Sequence, residues 1–294
     1  MHLLVCIGGE QYSRDTLRLG SGLVRVLKAD LTILYVRPAV SQHFRTEARL
    51  AREKLQDWPV ESEDALMMKA VQRIMEEQGL VRMVDGKPDV QHLPRVEKAG
   101  LAEYHLYGSA GQDLRIRVRE GDIVQSIRRE TLEVDYTLVV VGAPGHGSRL
   151  VRHIIQYTDP SVLIVKNPRD VQSYRMLLCL SHSAAALKAQ DFAVRTALLL
   201  GMPVDLLCIH SYPWEENGAM SLAEDTRRLL KRFDIPHTIR VRRGAVVRTI
   251  LKEAQPEHLI VMGTSERSSI YQFFFGSVPV EIGRRGKNTV LVVK

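Results

Sequence analysis

The chain has 294 residues, 45% hydrophobic and 26% charged, with 41 Lys and Arg against 34 Asp and Glu for a net charge of +7. That length suits two domains of ordinary size, each able to bury its own core. The composition is that of a soluble globular protein, and no apolar run approaches the roughly 18 residues of a membrane-spanning helix.

The first residues, MHLLVCIGGEQYSR, lack the basic start and small-residue cleavage site of a secretory leader, so a cytoplasmic location with no membrane attachment is expected. Leu3–Ile7 reads as an apolar strand, about 14–27 as a helix and Leu31–Val36 as a second strand. Helical stretches are expected near 43–55 and 61–78. The segment 81–113 follows, with the turn signal DGKP and tyrosines at Tyr104 and Tyr107; a hairpin and a flap over a site both fit it. The runs IRVREGDIVQSI (116–127), LVVVGAPGHGS (138–148) and VLIVK (162–166) complete the first half. The link NPRDVQSY (167–174) is too short for independent wandering, so the two halves should pack together.

Beyond that link the pattern repeats at constant spacing: Cys6 matches Cys179, Ile33 matches Leu206 and Val36 matches Ile209. The first helix of the second half ends at Gly201, as a C-terminal glycine stop should. A helix at about 221–233, a strand at 238–241, a helix at 245–254 and a strand at 259–262 are expected next. IRVRRGAVVRTI (239–250), LIVMGTSERSS (259–269) and VLVVK (290–294) restate the three runs of the first half. Between its second and third strands the first half carries far more chain, and the segment 81–113 has no counterpart in the second half.

Duplication on this scale defines the architecture. The strands are continuous apolar runs that alternate with helices, which requires a parallel sheet covered on both faces. The expected fold is α/β, two tandem doubly wound, Rossmann-like domains: 1–168 with an insertion near 81–113, and 169–294. In such sheets the glycine-bearing strand ends point to one edge, where ligands bind.

Cys6, Cys179 and Cys208 lie in strand-like apolar runs and read as small buried thiols in a reducing compartment. The ten histidines show no metal-ligand spacing, so no metal is expected. Arg115, Arg117 and Arg119, like Arg240, Arg242 and Arg243, occupy strands in which alternate residues share a face; Arg227, Arg228, Lys231 and Arg232 have helical spacing. Solvated faces account for most of them. Such a surface attracts anions, but without interleaved aromatics or a reading module a nucleic-acid partner is not expected.

A strand that ends in glycine and turns into a helix presents free backbone N–H groups and a helix dipole to an anion. The second half has Gly263-Thr264-Ser265-Glu266, nine further residues, then Gly276-Ser277. This resembles the universal stress protein family, whose motif is G-x-x-G, nine residues, then G-[ST], and the resemblance extends over the whole chain as two tandem copies. It implies doubly wound α/β domains, pairing of the VLIVK and VLVVK strands near a pseudo-twofold axis, and in one branch ATP bound across the loop. Gly263, Gly276 and Ser277 match. Glu266 replaces the second glycine and sets a negative charge beside the expected phosphates. The aspartate that ends the first strand in ATP-binding members is Ser181 here, and Gly8 in the first half. A hydrogen bond lost to a charged group weakens binding by about 1.5–3 kcal/mol.

In the first half the turn is Gly142-Ala143-Pro144-Gly145-His146-Gly147-Ser148. Setting Gly147-Ser148 against Gly276-Ser277 shortens the loop to a compact nest suited to a single phosphate. The candidate ligand residues are therefore Gly263, Gly276, Ser277, Gly142, Gly145, Gly147 and Ser148, for ATP, AMP or a phosphate-like anion. A plainer reading stays open, in which the glycines only permit tight turns.

Three functions compete. The first is a non-catalytic stress-response or signalling protein, an internal pseudo-dimer with degenerate sites and an unidentified protein partner, with higher oligomers left open. The second is a switch using one half-site for ATP, AMP or a cyclic nucleotide. The third, a nucleotide hydrolase or transferase, has the least support: G-x-x-x-x-G-K-[ST] and H-x-G-H are missing, GHGS lacks nucleophile-elbow spacing, and adjacency in CLSHS does not make a triad. No catalytic residue is assigned.

Overall fold

A computed structural model of the chain describes residues 1–8, 10–37, 63–97, 101–143, 148–180, 184–264 and 278–294. The first half opens with β1 (His2–Ile7), α1 (Glu10–Leu27), β2 (Asp30–Arg37) and α2 (Glu63–Glu77). Next come β3 (Met83–Val84), β4 (Lys87–Pro88), β5 (Val90–Glu97) and β6 (Leu101–Tyr107). It closes with β7 (Asp113–Glu120), α3 (Ile123–Glu133), β8 (Leu138–Gly142), α4 (Ser148–Tyr157) and β9 (Ser161–Val165). The second half runs β10 (Arg175–Leu180), α5 (Ala184–Leu200), β11 (Val204–His210), α6 (Glu216–Arg232) and β12 (His237–Arg243). It ends with α7 (Val246–Glu253), β13 (His258–Gly263), α8 (Val278–Arg285) and β14 (Val290–Val293). The helix expected near 43–55 lies outside the described residues.

Among the described residues twelve strands join in one sheet, ordered β12-β11-β10-β13-β14-β9-β8-β1-β2-β7-β6-β5. Each half contributes five parallel strands in the same relative order. Register repeats with order: Leu3 pairs with Leu31 as Met176 pairs with Val204. The halves meet at β9 and β14, which run antiparallel with Leu163 opposite Leu291. That junction corrects one expectation. The glycine-bearing strand ends share an edge only within a half, and the reversal at β9–β14 sends the two sets to opposite edges of the sheet.

Strand residues alternate between faces, and both faces are apolar. Leu3, Val5 and Ile7 pack with Leu17 and Leu19 of α1, in a core that also takes in Val71 of α2, Ala189 of α5 and Leu222 of α6. Leu4 and Cys6 belong to the opposite core, with Ile127 of α3, Ile154 of α4, Ile250 of α7 and Ile282 of α8. Gly20 lets α1 sit close on this sheet: a Cβ there would lie 2.5 Å from Val5 Cγ2, whereas the matching position in α5 is Ala193.

The insertion extends the sheet. Asp85 and Gly86, both at positive φ (51° and 74°), form the tight turn between β3 and β4. Beyond it β6 pairs antiparallel with β7, placing Tyr104 opposite Ile116, and β5 pairs with β6. It is a hairpin added to the sheet edge, not a flap over a site.

Covering β7 changes the fate of its arginines. Arg117 and Arg119 are only 8% and 5% exposed, so the solvated-face reading fails for both. Arg117 and Arg119 both pair with the fully buried Glu130 of α3, Arg119 Nη2 at 2.6 Å from Oε2. Tyr136 donates to Glu130 Oε1 at 2.8 Å, and Glu103 of β6 lies 2.8 Å from Arg117 Nε. The same trio recurs in the second half as Arg240 and Arg242 around Glu253, at 3.1 and 2.8 Å. There β12 is the sheet edge, and the trio is partly solvated.

Candidate functional site

In a doubly wound sheet the crevice forms where winding reverses, beyond the C-terminal strand ends. That point lies between β1 and β8 in the first half and between β10 and β13 in the second. Register puts Cys6 beside Val141, so the end of β1 at Ile7 and Gly8 adjoins Gly142. In the second half Cys179 lies beside Met262, and Leu180 adjoins Gly263. Gly142 and Gly263 thus stand where the glycine turns predict. Each ladder continues one residue further: Ala143 N donates to Val165 O at 3.1 Å, and Thr264 N to Val293 O at 3.0 Å.

Ser148 opens α4. Gly145, Gly147, Gly276 and Ser277, together with Ser181 and Glu266, lie outside the described residues. A Cβ on Gly8 would meet only Ile123 Cδ1, at 3.7 Å, so packing does not impose glycine where the family's aspartate belongs.

The other wall of each crevice is built alike but finished differently. Gly121 N donates to Arg37 O at 2.9 Å, and Gly244 N to His210 O at 3.0 Å, tying the turn before each helix to the neighbouring strand end. In the first half Asp122 caps α3, its side chain accepting from Gln125 N at 2.9 Å. At the same place before α7 stands Ala245, with no side-chain cap. The first-turn N–H groups of α7 are left to water or a ligand, and the helix dipole favours an anion there.

Two features beside the second crevice escaped the sequence reading. Tyr212 and Trp214 stack at 4.6 Å and 6° just past β11, both exposed. Glu215 fixes their loop, its carboxylate accepting from Ser211 N at 2.8 Å and Tyr212 N at 3.1 Å. The only sequence signal is the dense SYPW that follows an apolar strand.

The thiols are chemically quiet. All three cysteines are free and buried, and burial pushes the Cys208 thiol up to about 12, with Cys6 and Cys179 higher still for the same primary reason. Among the described residues no group of three His, Cys, Asp or Glu could hold a metal. No described helix is long and apolar enough to cross a membrane.

Two parallel five-stranded units with a glycine turn at each switch point define a tandem Rossmann-like protein. The sequence model of the universal stress protein family matches residues 1–166 and again 174–294, and the chain belongs to that family. No curated protein matches it. The fold is similar to that of a universal stress protein from Archaeoglobus fulgidus DSM 4304, with 14% identity, a TM-score of 0.68, and 100% of this chain and 96% of that one covered. A functionally unknown protein from Pseudomonas aeruginosa PAO1 is similar over 100% of this chain and 92% of its own, at 14% identity and a TM-score of 0.62.

Proposed function

We propose that this is a non-catalytic stress-response protein, an internal pseudo-dimer in which the two crevices have diverged. The second half takes an adenine nucleotide, ATP or AMP, at the Gly263 edge through Gly263, Gly276 and Ser277. The first half, through Gly142, Gly145, Gly147 and Ser148, takes a smaller phosphate-like anion.

The observation that carries this reading is the contrast between Asp122 and Ala245. In the first half a carboxylate occupies the N-terminus of α3, which leaves only the separate glycine turn at Gly142 for a small anion. In the second half the matching N-terminus, that of α7, has no side-chain cap, on the sheet edge to which β13 also presents Gly263, with β11 and β10 between them. The quiet thiols support a role without covalent catalysis, and unpaired buried cysteines suit the cytoplasm.

Calorimetric titration of the full chain with ATP, AMP and inorganic phosphate tests the proposal. One nucleotide should bind per chain. Gly263→Val and Ala245→Asp should each weaken it at least tenfold, while Gly142→Val leaves it unchanged. Two equivalent nucleotide sites would refute divergence, no nucleotide binding would refute the ligand, and turnover of ATP would refute the non-catalytic reading.

A further inference from the structure

An apolar cavity of about 300 Å³ opens at the junction of the two halves, on the sheet face that carries α1 and α5. Leu163 and Leu291 lie at its base, and the walls repeat across the approximate twofold. Leu19 and Leu27 of α1 are matched by Phe192 and Leu200 of α5, and Leu138 of β8 by Leu259 of β13. The polar groups nearest its base, Tyr174 and Thr289, have partners within the protein. The Tyr174 hydroxyl accepts from Arg169 N at 3.1 Å and lies 3.2 Å from Thr289 Oγ1, which donates to Lys166 O at 2.9 Å. An apolar pocket of this kind favours apolar molecules; roughly 150 Å³ of apolar space is enough for benzene. This one is about twice that, at the lower bound of ordinary ligand pockets.

Among the described residues no carboxylate lines the cavity, and Arg195 is the one charged side chain that does. Arg195 is 74% exposed, so it stands at the mouth, beside the exposed Leu199. Its 3.1 Å pair with Asp191 is itself solvated, and such pairs contribute little, so the guanidinium can turn to another anion.

We propose that this cavity is a binding site for a medium-chain carboxylate. An alkyl chain of roughly eight to ten carbons fills the space between α1 and α5, and the carboxylate meets Arg195. The site is separate from both glycine crevices and does not depend on nucleotide binding.

The test is calorimetric titration of the full chain with decanoate, decanol and decyltrimethylammonium, with light scattering for mass. Decanoate should bind one per chain, at least tenfold more tightly than decanol, and decyltrimethylammonium not at all. Arg195→Ala should erase the preference for decanoate over decanol. Thr196→Trp fills the cavity from α5 and Leu27→Trp from α1; each should weaken decanoate at least tenfold while leaving the circular dichroism spectrum unchanged, so one misfolded variant does not remove the test. No decanoate binding, or binding that survives filling, would overturn the site. Equal affinity for decanol would overturn the anionic head group. A dimer that becomes a monomer in the filled variants would identify the surface as an interface between two copies instead.

Discussion

Leu163 and Leu291 stand opposite each other in the β9–β14 ladder, and the step that carries Val162 to Val290 along the chain also carries one leucine onto the other. The approximate twofold axis therefore passes between them. Contacts around it obey the same symmetry. Lys166 N donates to Thr289 Oγ1 and Lys294 N to Ser161 Oγ, both at 3.3 Å. Lys166 Nζ donates to Gly286 O at 3.0 Å, just beyond α8, and Lys294 Nζ to Thr158 O, just beyond α4. Each half thus places an ammonium at the negative C-terminal end of a helix in the other.

Truncating this pair should loosen the whole molecule. Leu163→Ala and Leu291→Ala each remove a side chain only 3% exposed, and each should lower stability by about 2–5 kcal/mol, toward the smaller value because a cavity already adjoins them. Residues in direct cross-strand contact couple, so the double variant should depart from additivity by roughly 0.5–3 kcal/mol in urea unfolding. Strict additivity would mean the side chains do not meet.

The two arginine–glutamate trios should respond unequally to the same change. Glu130→Gln leaves Arg117 and Arg119 buried with their central charge removed, a loss of about 3–5 kcal/mol. Glu253→Gln disturbs a partly solvated edge and should lower stability by no more than about 1 kcal/mol. Comparable midpoints for the two variants in guanidinium unfolding would contradict the role given to β6.

Acid should act through Asp205. Burial alone would raise its carboxyl pKa, but Arg175 at 2.8 Å, Thr238 at 2.7 Å and His258 at 2.9 Å hold it well below the usual range. Gln255 N donates to His258 Nδ1, leaving Nε2–H to donate to the carboxylate. With the folded pKa depressed, the stabilisation is complete above the unfolded value of about 3.9 and declines as pH falls below it toward the folded value. Asp205→Asn should lower the melting temperature at pH 7 and flatten its dependence between about pH 4 and pH 2. A parallel drop in wild type and variant would exclude this group.

Alkali should act through Lys294 in the opposite direction. Desolvation lowers its pKa to about 8, against a smaller opposing pull from Asp159. Between about pH 8 and the ordinary lysine value of about 10.4 the unfolded chain binds more protons, so this group makes stability rise with pH across that window. Thermal melts of Lys294→Met should lack that rise. Identical slopes would show that the ammonium is not desolvated.

Much of the architecture is legible in local pattern. Continuous apolar runs such as LVVVG, the repeated spacing from Cys6 to Cys179 and the glycine stop at Gly201 identify strands, duplication and helix ends, because periodicity and turn chemistry are properties of neighbours in the chain. The placing of Gly142 and Gly263 at switch points follows from the same signals. Arg117 and Arg119 depart from the solvated-face expectation for a physical reason: alternation shows which residues share a face, but not that β6 covers β7.

Residue order alone thus establishes two α/β units with a glycine turn in each. Three-dimensional pairing settles the rest: that the units share one sheet, that their crevices open at opposite edges, and that an apolar cavity forms between α1 and α5. Those features arise from contacts between segments more than a hundred residues apart, such as Leu163 with Leu291, and no local propensity encodes which distant surfaces will meet.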